Sequence, residues 1–332
     1  PGFEFGDTTV GTNGPLTGTT VADTVTPLLA RVNKGNSAPE GERPPGPSHP
    51  FRYSWTVDVS EGVSIDNVVA EDVLPPQIQW TGDPIAITAP LGQGCSVTTS
   101  PNAATTPGAT ITATCTSVLG VASGEDLRVE VPVYITDVLD ETLPDQQNIT
   151  NTVLLDFDFQ GSPEPQTGAS STVTAKHAAV QKSVSGTGLP GGLLTYAINF
   201  QLTDYPGAVP GAGASSFVLE DVVADGLRYD RTVALVVNGA SYPITPIETA
   251  GPGPGENTLT WDVAAALPGG ALPNGARGSL TFETTILQNY ADGDPVLAAD
   301  SFPNTVQNSY TLTSGAVDTD SSTIDAPIQP ST

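Results

Sequence analysis

The chain carries one pattern twice, and that duplication constrains its fold more than any other feature. The first copy runs Val32-Asn33-Lys34, then Glu71-Asp72-Val73, then Asn151-Thr152-Val153. The second runs Val180-Gln181-Lys182, then Glu220-Asp221-Val222, then Asn304-Thr305-Val306. The acid follows the lysine by 38 residues in one copy and 39 in the other, and the asparagine follows the acid by 79 and 83. Only three lysines occur in 332 residues, and two of them stand at these matching places. Each lysine lies two residues from a valine, so on a strand it shares a face with Val32 or Val180. By the same rule Asn151 shares a face with Val153, and Asn304 with Val306.

The segments between these landmarks alternate with period two. Tyr53-Ser54-Trp55-Thr56-Val57 corresponds to Tyr196-Ala197-Ile198-Asn199-Phe200. Ile78-Gln79-Trp80 corresponds to Leu227-Arg228-Tyr229, and Leu127-Arg128-Val129-Glu130-Val131 to Leu280-Thr281-Phe282-Glu283-Thr284. Gly, Pro, Asn and Asp punctuate these runs, as in proteins built from short strands and turns. Val263–Leu267 alone invites a helix, and Pro268-Gly269-Gly270 stops it. The expected fold is all-β, with two tandem β-sandwiches over residues 26–175 and 176–332. They meet near Ala175–Ala179 with little linker, which predicts a stiff tandem.

Residues 1–25 repeat the closing strands of a copy. Phe3-Glu4-Phe5 and Thr19-Thr20-Val21 echo Phe157-Asp158-Phe159 and Ser171-Thr172-Val173. Two readings follow: a segment of a longer tandem array, or a donor hairpin that completes a neighbouring copy of the protein.

The net charge of −26 argues against nucleic acid and anionic membranes as partners. No apolar run approaches the roughly 20 residues of a membrane span, and no secretory signal stands at Pro1. The absence of methionine predicts a mature form or a fragment. Cys95 and Cys115 flank a Thr/Ala/Pro-rich excursion, and a local disulfide is expected in an exported domain. Asp137-Val138-Leu139-Asp140-Glu141 and Asp292-Gly293-Asp294 are acidic, but neither completes a calcium loop. His49 and His177 lack metal-ligand spacing. Asn148-Ile149-Thr150 fits a glycosylation sequon. Trp55, Trp80 and Trp261 fit a sugar platform less well than a core, because Trp55 alternates with Tyr53 and Val57. No metal, cofactor or turnover-enzyme motif emerges.

A lysine, an acid and an asparagine aimed into one core suit a spontaneous Lys–Asn amide. Burial disfavours the ammonium and leaves a nucleophilic amine. A buried protonated carboxyl polarises the carboxamide and passes a proton to departing ammonia. Contact makes the reaction intramolecular. Asp72 and Asp221 share faces with apolar neighbours, which favours them as the acids; Glu71 and Glu220 also alternate with valines and stay as alternatives.

The repeated Lys, Tyr-x-hydrophobic, Glu-Asp and Asn-Thr-Val pattern resembles the conserved repeat domains of bacterial surface proteins. It is also similar to fimbrial isopeptide-forming domains of collagen-adhesin type. Leu189-Pro190-Gly191-Gly192-Leu193-Leu194-Thr195-Tyr196 and Leu219-Glu220-Asp221-Val222 carry the likeness best. The resemblance implies immunoglobulin-like sandwiches, an extracellular or cell-surface location and a stalk or fibre role. It also implies Lys34–Asn151 and Lys182–Asn304 bonds, assisted by Asp72 and Asp221. This sequence departs from the pattern in the Gly35–Pro50 insert and the cysteine pair. The alternatives are a filament subunit that polymerises through its N-terminal hairpin, and a ligand-binding adhesin or carbohydrate-binding module, for which no ligand is legible.

Overall fold

The computed structural model describes residues 28–122, 124–138, 147–205, 214–297, 300–311, 315 and 317–327. The 1–25 hairpin and the Leu139–Glu141 end of the first acidic cluster lie outside the described residues. Among the described residues, no helix is long and apolar enough to cross a membrane.

The first half begins with β1 (Ala30–Asn36), β2 (Glu42–Arg43), β3 (Phe51–Val59), β4 (Ser64–Val73), β5 (Ile78–Trp80), β6 (Ala86–Thr88) and β7 (Gly92–Gln93). It continues through β8 (Ser96–Thr99), β9 (Thr110–Leu119), β10 (Leu127–Ile135), β11 (Gln147–Phe159), β12 (Ser162–Pro163) and β13 (Thr167–Ala175). The second half begins with β14 (Ala178–Gly186), β15 (Leu193–Leu202), β16 (Phe217–Val223), β17 (Leu227–Val237) and β18 (Ala240–Tyr242). It ends with β19 (Ile247–Ala250), β20 (Asn257–Asp262), the short helix α1 (Val263–Ala266), β21 (Arg277–Ile286), β22 (Ser301–Thr311) and β23 (Val317–Pro327).

Each half is a sandwich of two sheets. In the first, β1-β3-β10-β5 packs against β2-β13-β11-β4-β9-β7. In the second, β14-β15-β21-β17-β18 packs against β19-β20-β16-β22-β23. The central orders match: β1-β3-β10-β5 repeats as β14-β15-β21-β17, and β13-β11-β4-β9 as β23-β22-β16-β20. The alternation seen in the sequence drives this arrangement. Phe51, Tyr53, Trp55, Val57 and Val59 point inward from β3, and Leu194, Tyr196, Ile198, Phe200 and Leu202 point inward from β15. Each large side chain buried this way contributes about 2 kcal/mol, and each sandwich gathers its own core.

One sequence-level correspondence shifts. Tyr53 pairs with Val131 and Tyr196 with Phe282, so Val131 corresponds to Phe282 rather than to Thr284. The displacement is two residues, an even number, so the inward face is preserved. Helix α1 is a single turn, N-capped by Asp262, whose side chain accepts the Ala265 N–H at 2.9 Å.

Only Lys176 and His177 separate β13 from β14. The Gly35–Pro50 insert explains how so short a junction is braced. Its β2 adds in parallel to the edge of β13, pairing Glu42 with Thr174 and Arg43 with Ala175. Beyond β2 the insert runs onto the second sandwich, where Thr203 Oγ1 donates to the Pro45 carbonyl at 2.8 Å.

Candidate functional site: two buried lysine–aspartate–asparagine sets

Three strands place each set. Lys34 lies on β1 opposite Trp55, in one sheet. Asp72 lies on β4 opposite Val153 of β11, in the facing sheet. Asn151 is two residues before Val153 on β11, so it shares the inward face with Asp72. The second sandwich repeats this register. Lys182 lies on β14 opposite Ile198, and Asp221 on β16 opposite Val306 of β22, with Asn304 two residues earlier. In both, the lysine crosses the core from one sheet to reach the acid of the other, and in the second sandwich it also reaches the amide.

All six side chains are withdrawn from water. The side chains of Lys34, Asp72, Lys182 and Asp221 are fully buried, as are Asn151 and Asn304. Glu71 and Glu220 face outward and are exposed. The strand pleat therefore puts the aspartates into the sets and keeps the glutamates out of them.

Lys34 Nζ donates to Asp72 Oδ2, and Lys182 Nζ donates to Asp221 Oδ2. Lys182 Nζ also lies 2.5 Å from Asn304 Oδ1. The amines sit over aromatic faces: Lys34 Nζ is 5.1 Å from the Tyr53 ring centre. Lys182 Nζ is 4.8 Å from the Tyr196 centre and 5.4 Å from that of Phe282.

Burial shifts both partners toward their neutral forms. It lowers the Lys34 amine, with the Asp72 carboxylate opposing, and lowers the Lys182 amine to about 8 against the pull of Asp221. It raises the Asp72 and Asp221 carboxyls, with the neighbouring lysine and asparagine opposing. Both trends move the proton from amine to carboxyl, because a low-dielectric interior penalises charge.

The hydrogen bonding around these groups is incomplete. Asn151 lies close enough to Asp72 to favour its carboxylate, yet neither amide atom makes an aligned hydrogen bond. Asn304 Nδ2, Asp72 Oδ1 and Asp221 Oδ1 also lack aligned partners. Leaving such groups unpaired costs about 1–3 kcal/mol each, so a dry core retains them only for a reason beyond packing.

Side chains that the sequence reading missed hold the second lysine's strand. Asp320 Oδ2 accepts the Val180 N–H at 2.9 Å, and Ser322 Oγ accepts the Lys182 N–H at 3.0 Å. Ser322 in turn donates to Glu40 of the insert at 2.8 Å. Lys176 bridges the sandwiches, pairing with Asp320 and, at 2.8 Å, with Glu42. His177 Nδ1 lies 2.8 Å from Asp318 Oδ2. The signal available was the polar alternation Asp318-x-Asp320-x-Ser322 on one strand face.

The remaining candidates are placed as follows. Cys95 and Cys115 form a disulfide in the first sandwich. Among the described residues, no cluster of three His, Cys, Asp or Glu has metal-site geometry. Asp292 and Asp294 belong to an exposed turn in which the Asp294 N–H donates to Asp292 at 3.0 Å. Asn148 accepts from Thr174 Oγ1 at 2.8 Å, on an exposed strand face. Trp55 and Trp261 are core residues, and Trp80 is half-buried.

No protein-family model matches the chain. No curated relative matches it either. Among solved structures it is similar to domains D2 and D3 of the major pilin SpaD from Corynebacterium diphtheriae, with a TM-score of 0.33 and 14% identity. That match covers 45% of this chain and 52% of the pilin fragment, so the chain spans about half of it. It is also similar to the C-terminal domain of the Streptococcus agalactiae AgI/II polypeptide BspA, at TM-score 0.31 and 12% identity, over 90% of this chain and all of that one. A third likeness is to the 35 kDa C-terminal fragment of the S. agalactiae major pilin GBS80, at TM-score 0.32 and 13% identity, over 46% of this chain and 56% of that fragment.

Proposed function

We propose that this chain is a mechanical module of an extracellular surface protein, a stalk or fibre segment, in which each sandwich is closed by an autocatalytic Lys–Asn amide. Lys34 joins Asn151 and Lys182 joins Asn304, with Asp72 and Asp221 as the proton-transferring acids. One observation carries the reading: lysine, buried acid and asparagine converge in both sandwiches from equivalent strands at the same register.

The chemistry balances without any co-reactant. The neutral lysine Nζ attacks the asparagine Cγ, and the protonated aspartate donates to the amide oxygen as the tetrahedral centre forms. The carboxyl then relays the amine's proton to Nδ2. As the centre collapses, the hydroxyl proton returns to the aspartate, the Nζ–Cγ bond replaces the Cγ–Nδ2 bond and ammonia leaves. Holding amine and amide in one core, in contact already for Lys182 and Asn304, supplies the entropic advantage that an intermolecular reaction lacks. The domain is its own substrate, so this is a single event and not turnover.

The location of the bond gives it a mechanical consequence. Each lysine sits on the first strand of its sandwich, and each asparagine on the strand that pairs with the last. A covalent link there ties the two sheets through the core, so pulling on the ends extends only the chain outside the clamp. The result is kinetic stability against force and proteolysis.

The test is the intact mass of the reduced, denatured protein. The expected deficit equals two molecules of ammonia, with one restored by Lys34→Ala and the other by Lys182→Ala. The full calculated mass overturns the reading.

A further inference from the structure

The tongue Glu42–Pro50 of the first sandwich docks into a socket at the head of the second. Thr203 Oγ1 and the Asp204 N–H both donate to the Pro45 carbonyl, at 2.8 and 3.0 Å. Asp204 Oδ2 accepts the Ser48 N–H at 2.8 Å. His49 Nε2 lies 2.6 Å from the Leu202 carbonyl, and Arg43 donates to Gln201 at 3.2 Å. The fit is close, since a Cβ on Gly275 would overlap both Asp204 and Ser48.

The head of the first sandwich carries the same construction. Register equates Ala30 with Ala178 and Val59 with Leu202, since each pair is matched across its first two strands. Asp58, Val59, Ser60 and Glu61 therefore stand where Gln201, Leu202, Thr203 and Asp204 stand. The backbone agrees: the Ser60 N–H donates to the Leu29 carbonyl at 2.9 Å, and the Thr203 N–H to the His177 carbonyl at 2.7 Å. Gly124 and Gly275 occupy equivalent turns, both left-handed, at φ 78° and 66°.

Here the construction opens into a cleft of about 420 Å³, lined by Leu28, Ala30, Val59, Ser60, Glu61 and Gly124 among others. A Cβ on Gly124 would come no closer than 3.8 Å to any other group. The cleft's walls are preorganised, because buried Asp126 accepts the Val59 and Val121 N–H groups, each at 2.8 Å. The groups that hold the tongue in the second sandwich have counterparts here. Glu61 offers a carboxylate for a backbone N–H and Val59 its carbonyl, while the Ser60 hydroxyl, the counterpart of Thr203's, donates to the Leu28 carbonyl at 2.7 Å and must turn from it to meet a tongue. Asp58 stands where the other socket has Gln201 and already pairs with Arg31 at 3.0 Å, so an arginine placed as Arg43 is would share or replace that ion pair.

We propose that this cleft is a second socket, and that its occupant is the proline–glycine tongue of another sandwich of this kind, docked head to tail as Glu42–Pro50 docks on the second sandwich. The chain's own tongue is already committed to its own second sandwich, so the partner must bring one. The inference is independent of amide formation, because no member of either cross-linking set lines the cleft.

A labelled peptide of sequence Glu-Arg-Pro-Pro-Gly-Pro-Ser-His-Pro, titrated into the full chain, tests this. Untethered, it should bind saturably with a Kd of roughly 10 μM to 1 mM, because it carries its own ordering cost. Glu61→Arg and Ala122→Arg, both at exposed positions, should each weaken binding at least about tenfold, equivalent to roughly 1.4 kcal/mol. A scrambled peptide should not bind. No saturable binding, or equal binding of the scrambled peptide, overturns the proposal. So does binding that ignores Glu61→Arg and Ala122→Arg but responds to Asp204→Arg, which identifies displacement of the resident tongue instead.

Discussion

The two sandwiches hold the same three side chains at the same strand register, yet little else around those side chains is shared. Lys182 Nζ lies within reach of both the Tyr196 and Phe282 rings, which stack on each other, whereas among the described residues Lys34 has Tyr53 alone, because Val131 stands where Phe282 does. The backbone of Lys182 is pinned by Ser322, and that of Val180 by Asp320. In the first sandwich, Asn36 instead reaches Ser171 at 2.8 Å. The first carries a disulfide and the second does not. The comparison separates what the chemistry requires from what the fold tolerates. A lysine from one sheet, with an acid and an asparagine on neighbouring strands of the other, persists while the aromatic wall and the polar clamps vary.

The sharpest way to break that equivalence is to remove the acids one at a time. Asp72→Ala should restore one ammonia to the intact mass, and Asp221→Ala the other, with no cross-talk, because each acid touches only its own lysine. Glu71→Gln and Glu220→Gln should leave both deficits untouched, since both glutamates face solvent. A deficit that survives Asp221→Ala but disappears in Glu220→Gln would reassign the acid.

Next in size is the effect on stability. The proposed second link would close a loop of 122 residues. In the chain-entropy treatment a loop that long is worth about 5 kcal/mol. Asn304→Ala should therefore lower the melting temperature of the second sandwich steeply and leave the first near its original value; Asn151→Ala should do the reverse. Differential scanning calorimetry distinguishes the two transitions. Coupled loss of both would mean that the tongue, rather than the staples, sets the cooperative unit. Reducing the Cys95–Cys115 bond, with its separation of 20 residues, should cost about 3 kcal/mol. That loss should fall on the first sandwich alone, with neither ammonia deficit changed.

Much of this was legible in the sequence, for a physical reason. Period-two alternation fixes which face a residue takes, so Lys34, Asp72 and Asn151 reveal a common destination without any knowledge of strand order. The same logic left Asp72 and Glu71 open, because both alternate with apolar residues. Only the packed sheet distinguishes the face that meets the core. The sequence did not disclose what the Gly35–Pro50 insert does. Its contacts to Thr203, Asp204 and Leu202 join a side chain to a backbone group, or two backbone groups, so no complementary pair of side chains marks them in the sequence. Lys176, the third lysine, was passed over because its partners Glu42 and Asp320 belong to different sandwiches. The two-residue shift at β10 and β21 was invisible because an even slip keeps every face.

The smallest expected effect is also the most specific, and it concerns a lysine left free. In Asn304→Ala, Lys182 remains a titrating amine. Burial lowers its folded pKa to about 8, from an ordinary 10.5. Between those values the unfolded chain binds more protons than the folded one, so stability rises with pH across that window. Asp221 acts in the opposite sense. Burial raises its carboxyl, so stability falls as pH climbs from the ordinary carboxylate value through the folded one. The variant should thus show a melting temperature that climbs from pH 8 to pH 10. On the proposed cross-link the parent should lack that climb, because its amine would be an amide. Measurement should stop near pH 10, since the raised pKa of buried Tyr196 introduces an opposite slope above it. A parent that climbs as steeply as the variant would mean that Lys182 is a free amine in both, and the staple of the second sandwich would be lost as an explanation.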